Sequence, residues 1–233
     1  PHPLLFPQTY RTSETDGDRL GVGTVNVIPQ TVGGGSVHAD MKFPRFMPVD
    51  FELGSRLGPI AGANFADWPV TYDQLGPFYT HTEYAAGVQG QDGADPHQPP
   101  RSRPYPMPPG PPQYGALLVA AGAKKLGYTA FPAATGVNSR PYGGRPACRS
   151  CGMCGGWGCP INAKATSAVT TLRAALLSGL CQLWPETRAI RLVTSGSGSQ
   201  VTGVEAVLPD GSRRVFTADR YVLACNAVED ARL

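Results

Sequence analysis

Nine prolines stand within the 22 residues from position 91 to position 112. Proline lacks an amide hydrogen and has a fixed φ, so such a run fits neither a helix interior nor a central strand. The segment must be irregular or polyproline-like. It predicts a surface connection that crosses between two sub-regions. Glycine and proline together make 53 of 233 residues, just under the range that signals disorder, and a hydrophobic fraction of 41% is enough for a core. This length allows one large domain or two small ones. Twenty basic residues against 17 acidic ones leave a net charge of +3. That balance excludes an electrostatic nucleic-acid binder, which needs a strong basic excess. No apolar run reaches the length of a transmembrane helix. The chain begins with Pro1 and shows no signal-peptide pattern, so targeting is not legible.

Before the proline run, residues 22–27 predict a short strand. Gly33, Gly34 and Gly35 follow, and three consecutive glycines allow positive φ and a close backbone approach. The same pattern also serves an ordinary turn. Thr71 with Gln74 three residues on predicts a capping box opening a helix. That helix is expected to bury Leu75, Phe78, Tyr79 and Tyr84 and to stop at Gly87, leaving His81 at an edge or exposed. After the proline run, residues 113–127 read as an Ala-rich helix closing on Gly127. Residues 160–179 read as a small-residue helix with a Pro start and a Gly stop. Strands are expected at 188–194, 200–208 and 213–218, the last two joined as a hairpin through Pro209-Asp210-Gly211. Residues 220–225 read as a short buried strand leading into a helix that begins at Asn226. A core strand followed by one helical turn predicts that the protein continues past Leu233.

Four of the six cysteines fall within twelve residues, as C-x2-C-x2-C-x4-C-P: Cys148, Cys151, Cys154 and Cys159. Thiolates at such gaps, in a Gly-rich stretch, can converge on one centre. An iron–sulfur cluster is one occupant, although the ferredoxin pattern has one residue fewer in its last gap. Four thiolates closing on zinc are another. A compact loop of thiols or disulfides is the third reading. Cys181 and Cys225 are isolated in apolar surroundings. His2, His38, His81 and His97 lie far apart with no metal-ligand spacing, and no G-x-S-x-G is present.

Several segments, taken in order, resemble the glucose–methanol–choline (GMC) oxidoreductases. Val32-Gly-Gly-Gly-Ser-Val-His38 with Phe43-Pro-Arg45 is similar to that family's flavin-contacting loop. Asp67-Trp-Pro-Val-Thr-Tyr72, Leu75, Phe78-Tyr79, Glu83 and Gly87-Val-Gln-Gly90 resemble its next stretch. Cys148–Cys159, Pro160-Ile-Asn-Ala-Lys164, Arg188-Ala-Ile-Arg191 and Tyr221-Val-Leu-Ala-Cys-Asn-Ala-Val-Glu229 resemble a later flavin-domain segment. The resemblance runs from about residue 30 onward, towards the bacterial sugar, sugar-acid and long-chain alcohol dehydrogenases.

The resemblance implies an α/β fold: part of an FAD-binding Rossmann-like domain with part of an α+β substrate domain. Residues 1–43 and 148–233 would belong to the flavin domain, and 44–147 to the substrate region. Gly33, Gly34, Gly35 and Ser36 would bring backbone amides to the FAD, with His38 and Ala39 near its ring system. His38 also matches the setting in which related enzymes attach flavin covalently. Ala189 would meet the adenine, and Ala224, Cys225 and Asn226 would line a strand–helix turn beside the cofactor. The family's G-x-G-x-x-G and its catalytic histidine match nothing here and are expected outside this segment, which alone would be inactive and poorly folded. The implied reaction oxidises a CH–OH group of a sugar, sugar acid or alcohol. A cytochrome or quinone would accept the electrons, in a periplasmic or membrane-associated setting. In some sugar dehydrogenases of the branch, a three-iron cluster held by three cysteines at C-x5-C-x3-C-type gaps relays electrons from FAD to a cytochrome, whereas the gaps here are x2, x2 and x4. Two rival readings remain: a metal-binding module without flavin, and a binding domain that keeps the fold without the chemistry.

Overall fold

The helix Tyr72–Ala86 starts and stops where its sequence directs. Thr71 Oγ1 accepts from the Gln74 amide at 3.3 Å, and Gln74 Oε1 accepts from the Thr71 amide at 2.9 Å. This is the capping box expected from the spacing. At the other end Gly87 takes φ +71, which L side chains rarely adopt. A Cβ there would lie 2.6 Å from Tyr142 Cδ1. The buried face is Tyr72, Thr80, Glu83 and Ala86 rather than the expected aromatic stripe. Leu75, Tyr79 and Tyr84 are half-buried, while Phe78 and His81 are exposed.

A computed structural model describes residues 8–10, 13, 15, 21–23, 29–231 and 233. In chain order the elements are β1 (Gln8–Tyr10), β2 (Gly21–Gly23), α1 (Leu53–Leu57), α2 (Tyr72–Ala86), α3 (Tyr114–Lys125), α4 (Thr171–Leu177), β3 (Arg188–Thr194), β4 (Val201–Val207), β5 (Arg213–Phe216) and α5 (Ala227–Asp230). Of the strand expected at 22–27, residues 22 and 23 belong to β2, and 24–28 lie outside the described residues. The chain forms two compact units, Gly33–Ser178 and Pro1–Val32 with Gly179–Leu233.

In the unit Gly33–Ser178 the core is Met41, Ala86, Val88, Val137 and Ala165, with Phe43, Tyr105, Ala134 and Cys148 packed around it. Single bridges, not a sheet, join its extended segments: Lys42 with Thr135, Gln89 with both Met107 and Thr135, and Val137 with Lys164. The proline run is irregular, as its composition requires, yet it is built into the fold rather than laid over it. Met107 is buried. Its carbonyls find donors in side chains: Tyr72 to Pro100 at 2.6 Å, Tyr84 to Pro104 at 3.0 Å, Arg140 to Pro106 at 3.0 Å and Ser139 to Pro108 at 2.6 Å. The helix expected over 160–179 exists only as α4. Residues 163–166 are instead extended and buried, because they pair with Gly136–Asn138: the Ala165 amide donates to the Gly136 carbonyl and the Asn138 amide to the Ala163 carbonyl.

Glu83 anchors α2 to the segments around it. Its carboxylate accepts from Arg45 at 2.9 and 2.7 Å and from Arg101 at 3.0 and 2.5 Å. Arg101 Nε also lies 3.2 Å from Asp92 Oδ1. Burial pushes the Glu83 carboxyl up, but the two guanidinium groups hold it below the usual carboxylate range.

In the other unit β3, β4 and β5 form an antiparallel sheet in that order, with Val204 opposite Phe216 and Arg188 opposite Val207. The β4–β5 turn is the expected Pro209-Asp210-Gly211, in which the Ser212 amide donates to Asp210 Oδ1 at 2.9 Å. Glu205 on β4 pairs across the strands with Arg191 and Arg213. The strand expected at 220–225 is absent. The segment is irregular, Val222 and Leu223 are exposed, and no strand pairs with it among the described residues. Mixed helices with a small antiparallel sheet agree with part of an α/β domain. The parallel sheet of a Rossmann fold is not seen among the described residues.

Glu83→Gln leaves two buried guanidinium groups short of a counter-charge and is expected to cost about 3–5 kcal/mol, read as a lowered Tm. The wild-type contribution has a definite pH window. It is fully present above the unfolded carboxyl value of about 4.3 and is lost as pH falls through the lower folded value. Thermal denaturation of the full-length protein across pH 2–7 checks both.

Candidate functional site

The glycine turn has the geometry for close approach. Gly33 takes φ +97 and Gly34 φ +57, opening a 3-10 turn over Gly34–Val37. A Cβ on Gly33 would lie 2.8 Å from Val37 Cγ2, so the residue must be small. A Cβ on Gly34 would enter open space. The turn is braced internally. Ser36 Oγ donates to the Gly33 carbonyl at 2.5 Å and accepts from the Ser167 amide at 3.3 Å. The amides of His38 and Ala39 both donate to the Gly35 carbonyl.

Beside this turn lies a groove of about 540 Å³. The turn supplies Ser36 and Ala39, α2 supplies Ala85 and Ala86, and the segment after the cysteines supplies Ala165 and Thr170. Met41 and Phe43 add larger apolar walls, Asp40 and Lys42 bring charge, and the hydroxyls of Ser36, Ser167 and Thr170 offer polar contacts. A volume of this size, with a largely apolar surface, is typical of a cofactor or ligand site. These residues fit a planar, largely apolar ring system such as the isoalloxazine of FAD.

The cysteine loop folds against the same turn. The Gly156 amide donates to the His38 carbonyl at 2.7 Å, and His38 Nδ1 lies 3.4 Å from the Gly156 carbonyl. His38 therefore faces the loop and is not among the residues lining the groove. Lys164, almost fully buried, donates from Nζ to the carbonyls of Ala39 at 3.0 Å, Cys154 at 2.9 Å and Trp157 at 2.7 Å. Cys148 and Cys154 border a second cavity of about 360 Å³ with Asp40 and Gln89.

All four clustered cysteines are free thiols. Burial, reinforced by Cys148, pushes the Cys154 thiol up. Burial also acts on Cys159, yet the amides of Lys164, Ile161, Ala163 and Asn162 outweigh it and hold that thiol below its ordinary value. Among the described residues no three His, Cys, Asp or Glu side chains are arranged to hold a metal ion. Cys159 is engaged by backbone amides, and Cys151 is exposed. In this conformation the four thiols are not gathered around one centre.

Ala189 sits on β3 opposite Ala206 and is exposed. Ala224, Cys225 and Asn226 are exposed and form the turn into α5, where Asn226 Oδ1 accepts from the Val228 amide at 3.0 Å and takes φ +91. These four belong to the unit containing the sheet, whereas Gly33–Ala39 and Cys148–Cys159 belong to Gly33–Ser178. Sequence reasoning gave no role to Lys164, Arg145 or Asn138. Arg145 donates to the Ala163 carbonyl at 3.1 Å and also to the Ala86 carbonyl. Fully buried Asn138 donates from Nδ2 to the carbonyls of Tyr142, Arg145 and Pro146. The available signal was a polar residue set among small ones, as in Asn162-Ala-Lys-Ala165.

The family model of the GMC oxidoreductases matches residues 111–233, more than half of the chain. The chain belongs to the GMC oxidoreductase family. It is 30% identical over its whole length to the fructose dehydrogenase large subunit of Gluconobacter japonicus, covering 41% of that protein. It is 32% identical over 203 residues to the 6'''-hydroxyparomomycin C oxidase of Streptomyces lividus, covering 87% of this chain and 36% of that one. It is 28% identical over 222 residues to the gluconate 2-dehydrogenase flavoprotein of Pantoea cypripedii, covering 84% and 36%. The chain thus spans about two fifths of the length of the curated relatives it matches. The matched region contains all four clustered cysteines, so the loop is part of a GMC oxidoreductase chain and not a free-standing metal module.

The opposed shifts of the thiols predict an order of reactivity. Cys159 carries more thiolate at neutral pH than Cys154, so its alkylation by iodoacetamide is expected to set in at lower pH. Mass-spectrometric labelling of the metal-free full-length protein between pH 6 and 10 checks this. Cys154 labelling at the lower pH would contradict the assignment.

Proposed function

We propose that this chain forms part of an FAD-dependent GMC dehydrogenase that oxidises the CH–OH group of a sugar, sugar acid or alcohol. The observation that carries the reading is the groove beside the Gly33–Ser36 turn, found in a chain of this family. The relatives named for fructose and gluconate oxidation support the substrate class. A bound FAD would supply the hydride-accepting chemistry for oxidation of the substrate CH–OH group.

The residues of this chain bind and orient. Gly33 and Gly34 hold the backbone in a conformation that presents it to the cofactor, and Ser36 locks that turn. Ala39, Ala85, Ala86 and Ala165 keep the walls close. None of His38, His81 and His97 lines the groove, so the base that takes the hydroxyl proton is assigned to none of them. The orientation of His38 toward Gly156 supports a flavin held without a covalent bond at that ring. Electrons leave to a cytochrome or quinone, in keeping with a dehydrogenase.

The test is an absorption spectrum of the purified full-length protein, with anaerobic addition of fructose, gluconate and short alcohols. Flavin bands that bleach with at least one of them are expected, and acid precipitation should release the flavin. A protein without flavin overturns the reading. Gly34→Val, which puts a β-branched side chain at positive φ and into the open space, is expected to weaken FAD binding at least about tenfold, or roughly 1.4 kcal/mol. Flavin-to-protein absorbance ratios after dialysis check it.

A further inference from the structure

We propose that Lys164 is a positioning residue that couples the flavin groove to the cysteine loop; this rests on the reading of the groove as the flavin site. Only four lysines occur in the chain, and this one is 1% exposed. A lysine is almost never so buried without a carboxylate partner. Here its three donors go to three main-chain carbonyls, which matches the full donor capacity of an ammonium group.

Those carbonyls belong to two functional segments. Ala39 is in the wall of the 540 Å³ groove. Cys154 is in the wall of the 360 Å³ cavity, and Trp157 stands further along the same loop. Asp40 borders both spaces, so Ala39-Asp40 forms the partition between them. The ammonium pins this partition to the loop. Its own backbone is fixed by the bridge to Val137 and by the amide bonds on either side, so it has no freedom to follow either segment. A displacement of Ala39 and one of Cys154 must therefore draw on the same three hydrogen bonds.

The charge has a second effect. Carbonyl dipoles stabilise a buried cation but do not cancel it, and at low dielectric its field reaches a neighbouring site. Beside the groove it favours the more negatively charged, reduced cofactor. Removing it makes the flavin harder to reduce and at the same time loosens the loop that holds Cys154.

The experiment uses full-length protein as wild type, Lys164→Met and Lys164→Arg. It measures the flavin reduction potential against reference dyes and the rate of thiol labelling by an aromatic disulfide reagent. Lys164→Met is expected to show a more negative potential together with Cys154 labelling about tenfold faster, equivalent to about 1.4 kcal/mol. Lys164→Arg, which keeps the charge, is expected to return the potential toward wild type, an outcome that a purely structural role would not produce. A flavin-loaded Lys164→Met protein with wild-type potential and labelling rates overturns the proposal alone. A wild type that carries no flavin overturns the functional reading first. Should Lys164→Met fail to fold, wild type with and without its flavin decides the matter. Stripping the flavin is expected to speed Cys154 labelling, and equal rates overturn the coupling.

Discussion

A buried carbonyl must find a donor, and in Gly33–Ser178 many of those donors are side chains. The unit has few strand bridges and a long proline run, so the backbone cannot satisfy itself. Lys164, Arg145 and Asn138 reach into the interior and donate to carbonyls from several segments. Each joins stretches distant in sequence. Arg145 links the end of α2 at Ala86 to Ala163, and Lys164 links Ala39 to the cysteine loop. These bonds are the framework on which the small apolar core is hung. Burial pushes the Arg145 guanidinium below its ordinary value, and no carboxylate accepts a hydrogen bond from it among the described residues. The carbonyls take that role.

The same framework aims the groove. Thr82, Ala85 and Ala86 of α2 face it, while Glu83 of the same helix is clamped by Arg45 and Arg101. Successive helical residues point about 100° apart. Fixing Glu83 therefore fixes the rotation of α2, and with it the wall that Ala85 and Ala86 present. With Asp92 beside Arg101, two carboxylates face two guanidinium groups, so the cluster carries little net charge despite its burial. It acts at a distance from the groove through the rigidity of one helix.

Local signals were legible and tertiary ones were not. Thr71 with Gln74 announces a helix start, and Pro209-Asp210-Gly211 a hairpin, because both rest on bonds between near neighbours. Residues 160–170 have helical small-residue spacing, yet Ala163–Thr166 runs extended. Its partner, Gly136–Asn138, lies some 27 residues earlier, and no local pattern marks it. The same limit explains 220–225, whose apolar composition asks for a neighbouring strand that the described residues do not supply. In the candidate site, Ser36 and Ala39 line the groove, whereas His38 turns to Gly156. A motif specifies the turn, but the packing of a second loop decides where its last side chain points.

The cysteine spacing shows most clearly how far a pattern reaches. Even gaps of two residues invite a common centre, but they say nothing about what else competes for each sulfur. Cys159 sits where the chain turns after Pro160, and the amides of residues 161–164 converge on it. Such amides favour the thiolate. Cys154 lies in the opposite environment, since its own carbonyl is held by Lys164 and its thiol is pushed toward the protonated form. Two sulfurs five residues apart are thus shifted in opposite directions, Cys159 down by the amides of Ile161–Lys164 and Cys154 up by burial and Cys148, against the lowering effect of Lys164. Amide hydrogen bonds to a sulfur are compatible with ligation, so four such thiols would become equivalent ligands only through a movement of the loop. That movement would draw directly on the segment carrying Lys164, and so on the partition at Ala39.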